Sequence, residues 1–275
     1  HQKVWEEATA HNLSETTRQG LFEASLRLLK AVKYRSAGTL EFLVDASGGF
    51  YFLEMNTRLQ VEHPVTEWVT ELDLVGMQLL LASGELTLPT QESIQTKGAA
   101  IEVRIYAEDP HHFLPAPGKM GLIRQPNGPF LRWDSAYATS GEVSMFYDPM
   151  IAKLSVWGKD RAEAVARMRV ALDELSIEAP KNAQGEIKGS LKTNVSFLQK
   201  LVRCEDTITG NTTTDLIPRN PSLTAEETVG ETSDEIAIAL SLLRFTEGAS
   251  ESTETTGGAR TSNPWSQKAK WASMR

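Results

Sequence analysis

The sequence contains very little cysteine, and this scarcity excludes two classes of protein. Cys204 is the only cysteine among 275 residues. A single thiol cannot form a disulfide within the chain, and it cannot build a cysteine-based metal cluster. The fold must therefore be stabilised by an ordinary hydrophobic core, and 275 residues are enough for one large domain or two modest ones.

Long apolar runs and an excess of basic residues are also missing. No apolar run approaches the ~18 residues of a membrane-spanning helix, and the first residues do not resemble a signal peptide. We therefore expect no membrane partner and a cytoplasmic location, or the mitochondrial matrix if the source is eukaryotic. With 28 Lys and Arg against 36 Asp and Glu, the net charge is −8, which argues against a nucleic-acid partner.

Two apolar, aromatic-rich runs, residues 38–44 and 50–54, are separated by a Gly-rich stretch and predict a β-hairpin. This pairing puts Glu41 opposite Glu54. Two facing carboxylates repel each other unless a cation lies between them or one of them is protonated. Mg²⁺ is typically held by one or two carboxylates plus substrate phosphates, and Asn56 could add an oxygen. The alternative is an exposed pair that simply binds lysines.

The polar character of this hairpin continues along the chain. In an extended segment, alternate side chains lie on the same face. The residues that would share a face with Glu54 are all polar: Asn56, Arg58, Gln60 and Glu62. The pattern therefore predicts a polar wall that can face a charged ligand.

Three strings carry a resemblance to a known family. They are EMNTRLQVEHPVTE (residues 54–67), GTLEFL (38–43) and AAIEVRIYAEDP (99–110). Together they resemble the biotin carboxylases, the ATP-grasp component of biotin-dependent acyl-CoA carboxylases, pyruvate carboxylase and urea carboxylase. The resemblance covers about residues 1–205 and, more weakly, the end of the chain.

The resemblance implies an α+β fold. Residues 1–97 would form the second half of an ATP-grasp domain, mainly antiparallel sheet with helices. Residues 98–205 would form the biotin carboxylase C-terminal domain. The composition of residues 206–275 is polar and predicts a largely disordered tail, a linker with one helix at 234–245 and the possible start of a further module. That module would begin at Asn263.

The first residue is His1 rather than Met. Together with the resemblance, this suggests a fragment that lacks the family's N-terminal half. Part of the nucleotide pocket would then be missing, and we expect the isolated chain to be inactive.

The resemblance also implies an ATP and metal site. Glu41, Glu54 and Asn56 would be the Mg²⁺ or Mn²⁺ ligands that bridge the phosphates of ATP. His1 would lie beside the nucleotide, so that ATP is contacted by His1, Glu41 and Glu54.

Bicarbonate would be bound next to this metal site. The resemblance assigns it to Lys3, Arg58, Gln60 and the backbone N–H of Val61, with Arg58 gripping the anion through its planar fork of donors. Glu62 would be the general base that takes the bicarbonate proton. Arg58 and Glu62 are therefore candidate catalytic residues.

Arg132 matches the family arginine that stabilises the enolate of biotin, a developing-oxyanion role. Considered alone, Arg132 would be read as a surface salt-bridge residue.

The resemblance further implies three partners: a biotin carboxyl carrier domain or protein, a carboxyltransferase subunit, and a second copy of the chain bound through the C-terminal domain.

Two other functions stay open at this point. Another ATP-grasp ligase, such as carbamoyl phosphate synthetase, shares the metal pattern and bicarbonate activation. The string QVEHP and Arg132 favour the biotin branch. A non-catalytic assembly or dimerisation module is the second alternative, and the intact polar wall argues against it. The acyl-CoA group served by such an enzyme, of the acetyl, propionyl or methylcrotonyl type, is chosen by the carboxyltransferase and is not encoded here.

Overall fold

The computed structural model describes residues 3–85 and 87–226, together with residue 238. The chain divides into two compact units, residues 1–225 and 226–275. The strands and helices from Trp5 to Leu223 lie in the first unit.

Four of the predictions fall outside the described residues. They concern His1 as a contact of ATP, the disordered tail after residue 226, the helix at 234–245 apart from Ile238, and the module that would begin at Asn263. These four stay predictions.

The first unit contains both strands and helices, with a run of consecutive strands from β4 to β9 in its middle. The strands are β1 (Trp5–Ala8), β2 (Thr39–Val44), β3 (Phe50–Asn56), β4 (Ala99–Tyr106), β5 (Gly118–Met120), β6 (Leu122–Arg124), β7 (Leu131–Ser135), β8 (Gly141–Val143), β9 (Met150–Gly158) and β10 (Ser176–Glu178). The helices are α1 (Glu15–Ala31), α2 (His63–Thr70), α3 (Leu74–Ser83), α4 (Arg161–Glu174), α5 (Val195–Leu201), α6 (Glu205–Thr209) and α7 (Leu216–Arg219), with short 3₁₀ turns at Gln91–Ser93 and Pro221–Leu223. The predicted α+β class is confirmed. No helix within the described residues combines the length and the apolar character needed to cross a membrane.

A four-stranded antiparallel sheet in the order β1-β4-β9-β7 is the centre of this unit. The remaining strands pair as β2-β3, β5-β8 and β6-β10. β1 was not predicted from the sequence. Its pairing with β4 means that the predicted ATP-grasp part supplies an edge strand to the sheet of the part that follows it.

One face of this sheet is apolar. The register places Ile101 opposite Val156 and Val103 opposite Leu154, and all four side chains are fully buried. Helix α4 packs on this face and contributes the buried Leu172. The hydrophobic core therefore lies between the sheet and α4.

The opposite face of the same sheet is charged. Because side chains alternate along a strand, Glu102 and Arg104 point away from the core. The register puts Glu6 opposite Glu102 and Lys153 opposite Arg104. Arg132 of β7 lies on this face as well, opposite Ser155. Helix α2 packs on this charged face.

Side chains cap the first turns of three helices. Ser14, Asp73 and Asp160 each accept a hydrogen bond from a backbone N–H three residues later, at the start of α1, α3 and α4. This arrangement satisfies a backbone donor that the first turn of a helix leaves unpaired. Gly84 ends α3 in the left-handed conformation, at φ 80°.

Residues 206–225 differ from the predicted linker. They contain α6 and α7, and the side chains of Leu216 and Leu223 are buried in the main core. Thr207 is also buried. The linker prediction is wrong for this segment, because the side chains of Leu216 and Leu223 anchor it in the core. The prediction used the average composition, which is dominated by exposed polar residues.

The core assignment leads to a stability prediction. Leu172→Ala should lower the free energy of unfolding by about 2–5 kcal/mol, because it removes a fully buried helical side chain and leaves a cavity. Leu79→Ala is the matched control, since Leu79 is a helical leucine of α3 that is 68 % exposed. It should change stability by about 0.5 kcal/mol or less. Urea denaturation of both variants measures the difference, and equal losses would contradict the assigned core.

Candidate functional site

The β2-β3 hairpin brings the three predicted metal ligands together. Glu41 lies opposite Glu54, as predicted. The Nδ2 atom of Asn56 is 3.1 Å from a carboxylate oxygen of each of them. A one-residue shift of register at Leu53 forms a β-bulge. Leu53 is the extra, unpaired residue of this bulge, and Glu41 and Glu54 remain directly opposite each other on the same side of the hairpin.

The chemistry of this group suits a hard divalent cation. Two carboxylates and one amide oxygen are ligands that Mg²⁺ accepts. The amide nitrogen of Asn56 faces the carboxylates, and a flip of the amide would present its oxygen instead. The Nζ atom of Lys3 lies 2.6 Å from Glu41 and neutralises part of the charge. Within the described residues, no cluster holds three or more His, Cys, Asp or Glu side chains placed for a metal.

The predicted polar wall does not continue as one strand. β3 ends at Asn56, which pairs with Thr39, the first residue of β2. Gln60 is buried, and its carbonyl oxygen accepts from the ring of His63 at 2.8 Å. Arg58 is exposed and donates to the carbonyl of the next residue. The prediction of an extended wall is wrong after Asn56, because the chain loses its partner strand and turns into α2.

Glu62 nevertheless returns to the hairpin at the start of α2. Lys3 Nζ donates to Glu62 at 2.9 Å while it also donates to Glu41. Arg104 donates to the other oxygen of Glu62 at 2.9 Å. Burial by itself would raise the pKa of Glu62, but the hydrogen bond from Lys3 and the two positive charges bring that pKa below its ordinary value. Glu62 is therefore an ionised carboxylate held at both oxygens.

Two buried carboxyl groups lie behind Arg104. Arg104 Nη2 is 2.8 Å from Glu6, which faces Glu102 on the neighbouring strand. Glu102 is fully buried, and neither of its oxygens has a hydrogen-bond partner among the described residues. Burial raises the pKa of Glu6 to about 7 and that of Glu102 to about 8, although Arg104 lowers both and Lys153 lowers the second. Both groups hold protons far more readily than an exposed glutamate.

Arg132 is fixed by two acidic side chains. It donates through Nη1 to Glu67 of α2 at 2.7 Å and through Nε to both oxygens of Asp134 at 2.9 and 3.0 Å. Lys153 lies 3.6 Å from Asp134 and donates to the carbonyl of Val61 at 2.8 Å. The structure thus engages the carbonyl of Val61, whereas the sequence analysis singled out its N–H. Since α2 begins after Glu62 and carries Glu67, the same helix links Glu62 with Arg132.

The charged residues that support this site were not predicted from the sequence. They are Glu6, Glu67, Glu102, Arg104 and Lys153. Charged residues inside otherwise apolar strands were the available signal, because a charge in a buried strand requires a partner. The partners themselves could not be read from the sequence, since they lie on different strands and on α2.

The comparisons with known proteins agree on one family. Residues 102–219 match the model described as biotin carboxylase C-terminal domain, and residues 1–90 match carbamoyl-phosphate synthase L chain, ATP binding domain. The chain is 44 % identical over 222 residues to the mitochondrial methylcrotonoyl-CoA carboxylase subunit alpha of Mus musculus, covering 80 % of the chain and 29 % of that protein. It is 42 % identical over 220 residues to biotin carboxylase 2 of Bacillus subtilis, covering 80 % and 47 %. The chain belongs to the biotin carboxylase family.

A solved biotin carboxylase structure extends this result to the fold. It is the biotin carboxylase domain dimer of 2-oxoglutarate carboxylase from Hydrogenobacter thermophilus, in complex with MgADP, ADP and bicarbonate. The TM-score is 0.75 at 36 % identity, over 83 % of this chain and 48 % of that one. The chain thus spans less than half the length of each of these three relatives. The C-terminal match supports the biotin branch over the carbamoyl phosphate synthetase alternative.

The raised pKa of Glu102 leads to a pH prediction. In the folded protein, Glu102 keeps its proton up to about pH 8. In the unfolded chain, the same carboxyl loses its proton at about pH 4.3. The free energy of unfolding should therefore fall as the pH rises between these two values. Glu102→Gln should reduce this fall, to which Glu6 also contributes through its own raised pKa, and stabilise the protein at neutral pH by on the order of a few kcal/mol. Melting temperatures measured from pH 5 to 8 test this. Glu142→Gln, at an exposed carboxyl, should leave the wild-type profile unchanged, and an unaltered profile in Glu102→Gln would contradict the assignment.

Proposed function

We propose that this chain is the part of a biotin carboxylase that holds the metal, bicarbonate and biotin. The enzyme would use ATP and bicarbonate to carboxylate carrier-bound biotin through carboxyphosphate. The observation that carries this proposal is the convergence of Lys3, Glu41 and Glu62, in which one ammonium group bridges a metal-ligand carboxylate and an ionised base. The bound MgADP and bicarbonate of the Hydrogenobacter thermophilus relative support it.

Glu41, Glu54 and Asn56 would hold the Mg²⁺ or Mn²⁺ ion. The metal would neutralise the phosphates of ATP, which is the main requirement of phosphoryl transfer. The convergence of the three side chains on the hairpin supports this assignment. His1 would contact the nucleotide together with Glu41 and Glu54.

Bicarbonate would lie beside Glu62. Lys3 and Arg58 would supply positive charge, and the N–H of Val61 a backbone donor. Gln60 is buried, and its Nε2 has no hydrogen-bond partner among the described residues, so this donor is available to an anion. Glu62 would take the bicarbonate proton as the bicarbonate oxygen attacks the γ-phosphorus and ADP leaves.

Arg132 would stabilise the biotin enolate. When carboxyphosphate breaks down to CO₂ and phosphate, the phosphate would take the N–H proton of biotin, and negative charge would develop on the biotin oxygen. A fixed guanidinium stabilises such a charge without reorganising. The ion pairs with Glu67 and Asp134 support this role, because they hold the side chain in one orientation.

The partners and the domain boundaries follow from the same proposal. Residues 1–97 would complete an ATP-grasp domain. The C-terminal domain that pairs two copies of the protein would start at residue 98 and continue beyond residue 205, because residues 206–225 pack into the same core. A biotin carboxyl carrier domain and a carboxyltransferase subunit would use the carboxylated biotin. The names of the relatives, which include carboxylase alpha subunits from mitochondria, support this and a location in the cytoplasm or the mitochondrial matrix.

The first test measures ATP cleavage by the full-length protein with bicarbonate and free biotin. Glu62→Gln should lower kcat by about 10²–10⁴-fold, because it removes the general base. Arg132→Ala should abolish the biotin-dependent part of ATP cleavage and keep the part that requires bicarbonate alone. Glu142→Gln and Arg124→Ala, at exposed positions, are the controls. Activity that does not respond to biotin in the wild-type protein would refute the proposal.

The metal site has its own test. Glu54→Gln should raise the Mn²⁺ concentration needed for half-saturation roughly tenfold or more in the presence of nucleotide, because it removes one of two carboxylate ligands. Electron paramagnetic resonance of free Mn²⁺ measures this binding without any turnover. Glu92→Gln, at an exposed carboxyl outside the hairpin, should bind Mn²⁺ as the wild type does. Equal Mn²⁺ affinity in both variants would exclude Glu54 as a ligand.

A further inference from the structure

Glu6, Arg104 and Glu62 form a chain of charges from the interior of the sheet to the proposed base. A single atom, Arg104 Nη2, lies 2.8 Å from Glu6 and 2.9 Å from Glu62. The three side chains are only 10 %, 12 % and 17 % exposed, respectively. Solvent therefore screens these interactions weakly, and a change of charge at Glu6 must be felt at Glu62.

The buried charges in this region do not balance. Glu102 faces Glu6 across the β1-β4 ladder, and Lys153 faces Arg104 across the β4-β9 ladder. The buried cations Arg104 and Lys153 thus meet three carboxyl groups, namely Glu6, Glu102 and Glu62. Buried carboxylates without hydrogen-bond donors are costly, so one carboxyl of this group must take up a proton.

The remaining charged neighbours do not remove this excess. Lys3 is 42 % exposed and divides its charge between Glu62 and Glu41. Lys153 is only 3.6 Å from Asp134, which adds another negative charge. Glu62 is held by two cations, whereas the oxygens of Glu102 have no hydrogen-bond partner within the described residues. The proton therefore belongs to the pair formed by Glu6 and Glu102.

We propose that Glu6 is a positioning residue for the base Glu62, acting through Arg104, and that Glu6 and Glu102 share one proton. The role of Glu62 as base rests on the function proposed above, whereas the shared proton does not. The negative charge of Glu6 partly neutralises Arg104, so that Arg104 stabilises the ionised form of Glu62 less strongly. Glu62 thus stays basic enough to accept a proton. Without a charge at Glu6, Arg104 would act on Glu62 alone and make it a weaker base.

The direction of the pKa shifts agrees with this arrangement. Burial raises the pKa of both Glu6 and Glu102, and each is raised further by the negative charge of Glu62. The pair therefore exchanges its proton close to neutral pH. Glu62, which has two cationic partners, has a lowered pKa.

The neighbouring residue on β1 offers a matched control. Glu7 points to the opposite face of the sheet, where it forms an ion pair with Arg161 at 2.7 Å. Its side chain is 11 % exposed, nearly the same as that of Glu6. Glu6→Gln and Glu7→Gln thus each remove one buried glutamate–arginine pair from the same strand, and only Glu6 is connected to Glu62.

The shared proton is tested by infrared spectroscopy on the 275-residue chain at neutral pH. With ¹³C-labelled glutamate, the wild type should show the C=O band of a protonated carboxylic acid. The band should be lost in Glu102→Gln and kept in Glu7→Gln. Absence of the band from the wild type, or its survival in Glu102→Gln, would overturn the shared proton.

The positioning role is tested by the pH dependence of bicarbonate-dependent ATP cleavage in the full-length protein. Glu6→Gln should move the acid limb of kcat to lower pH and lower kcat by roughly tenfold, as expected for a weakened base, with a smaller effect on KM for bicarbonate. Glu7→Gln should keep the wild-type limb. Identical profiles for the two variants would overturn the positioning role. A wild-type protein without bicarbonate-dependent ATP cleavage would refute the proposed function instead, while the infrared result would stand independently.

Discussion

The antiparallel register of β1, β4, β9 and β7 is the constraint on which the rest of this structure depends. Alternation along each strand separates Val103 and Leu154, which face α4, from Glu102, Arg104 and Lys153, which face α2. A shift of the register by one residue would put these charges into the hydrophobic core. The same pairing therefore builds the core and supports Glu62, the proposed base, at the start of α2.

Burying charged side chains on a sheet face costs free energy of folding, and ion pairs between these side chains offset part of that cost. Arg104 contacts two carboxylates, and Arg132 is held by Glu67 and Asp134. Removing one partner of Arg104 leaves an uncompensated, largely buried charge and is strongly destabilising. The pair of Arg132 and Asp134 is 36 % and 34 % exposed, so its loss costs less. Glu6 and Glu102 are exceptions, because their carboxylate oxygens have no hydrogen-bond partner among the described residues, although Glu6 forms an ion pair with Arg104. Their burial raises the pKa of both groups.

Helix α2 connects the parts of the site that the sheet alone would leave apart. Its entry places Glu62 between Lys3 and Arg104, and its body carries Glu67 to Arg132. The β2-β3 hairpin, which carries the proposed metal ligands, joins this arrangement through Lys3, which contacts both Glu41 and Glu62. The sites proposed for metal, bicarbonate and biotin are thus mechanically linked through one short helix and one lysine.

The sequence by itself determined the family, the α+β class and the pairing of Glu41 with Glu54, because motifs and hairpins depend on residues close together in the chain. Only the tertiary structure decided where the segment after Asn56 leaves the strand, and that β1 pairs with β4. It alone brought Glu6 and Arg104 to Glu62. These contacts join residues about 40 to 100 positions apart, and long-range pairing is set by sheet register and packing, which local sequence patterns do not specify.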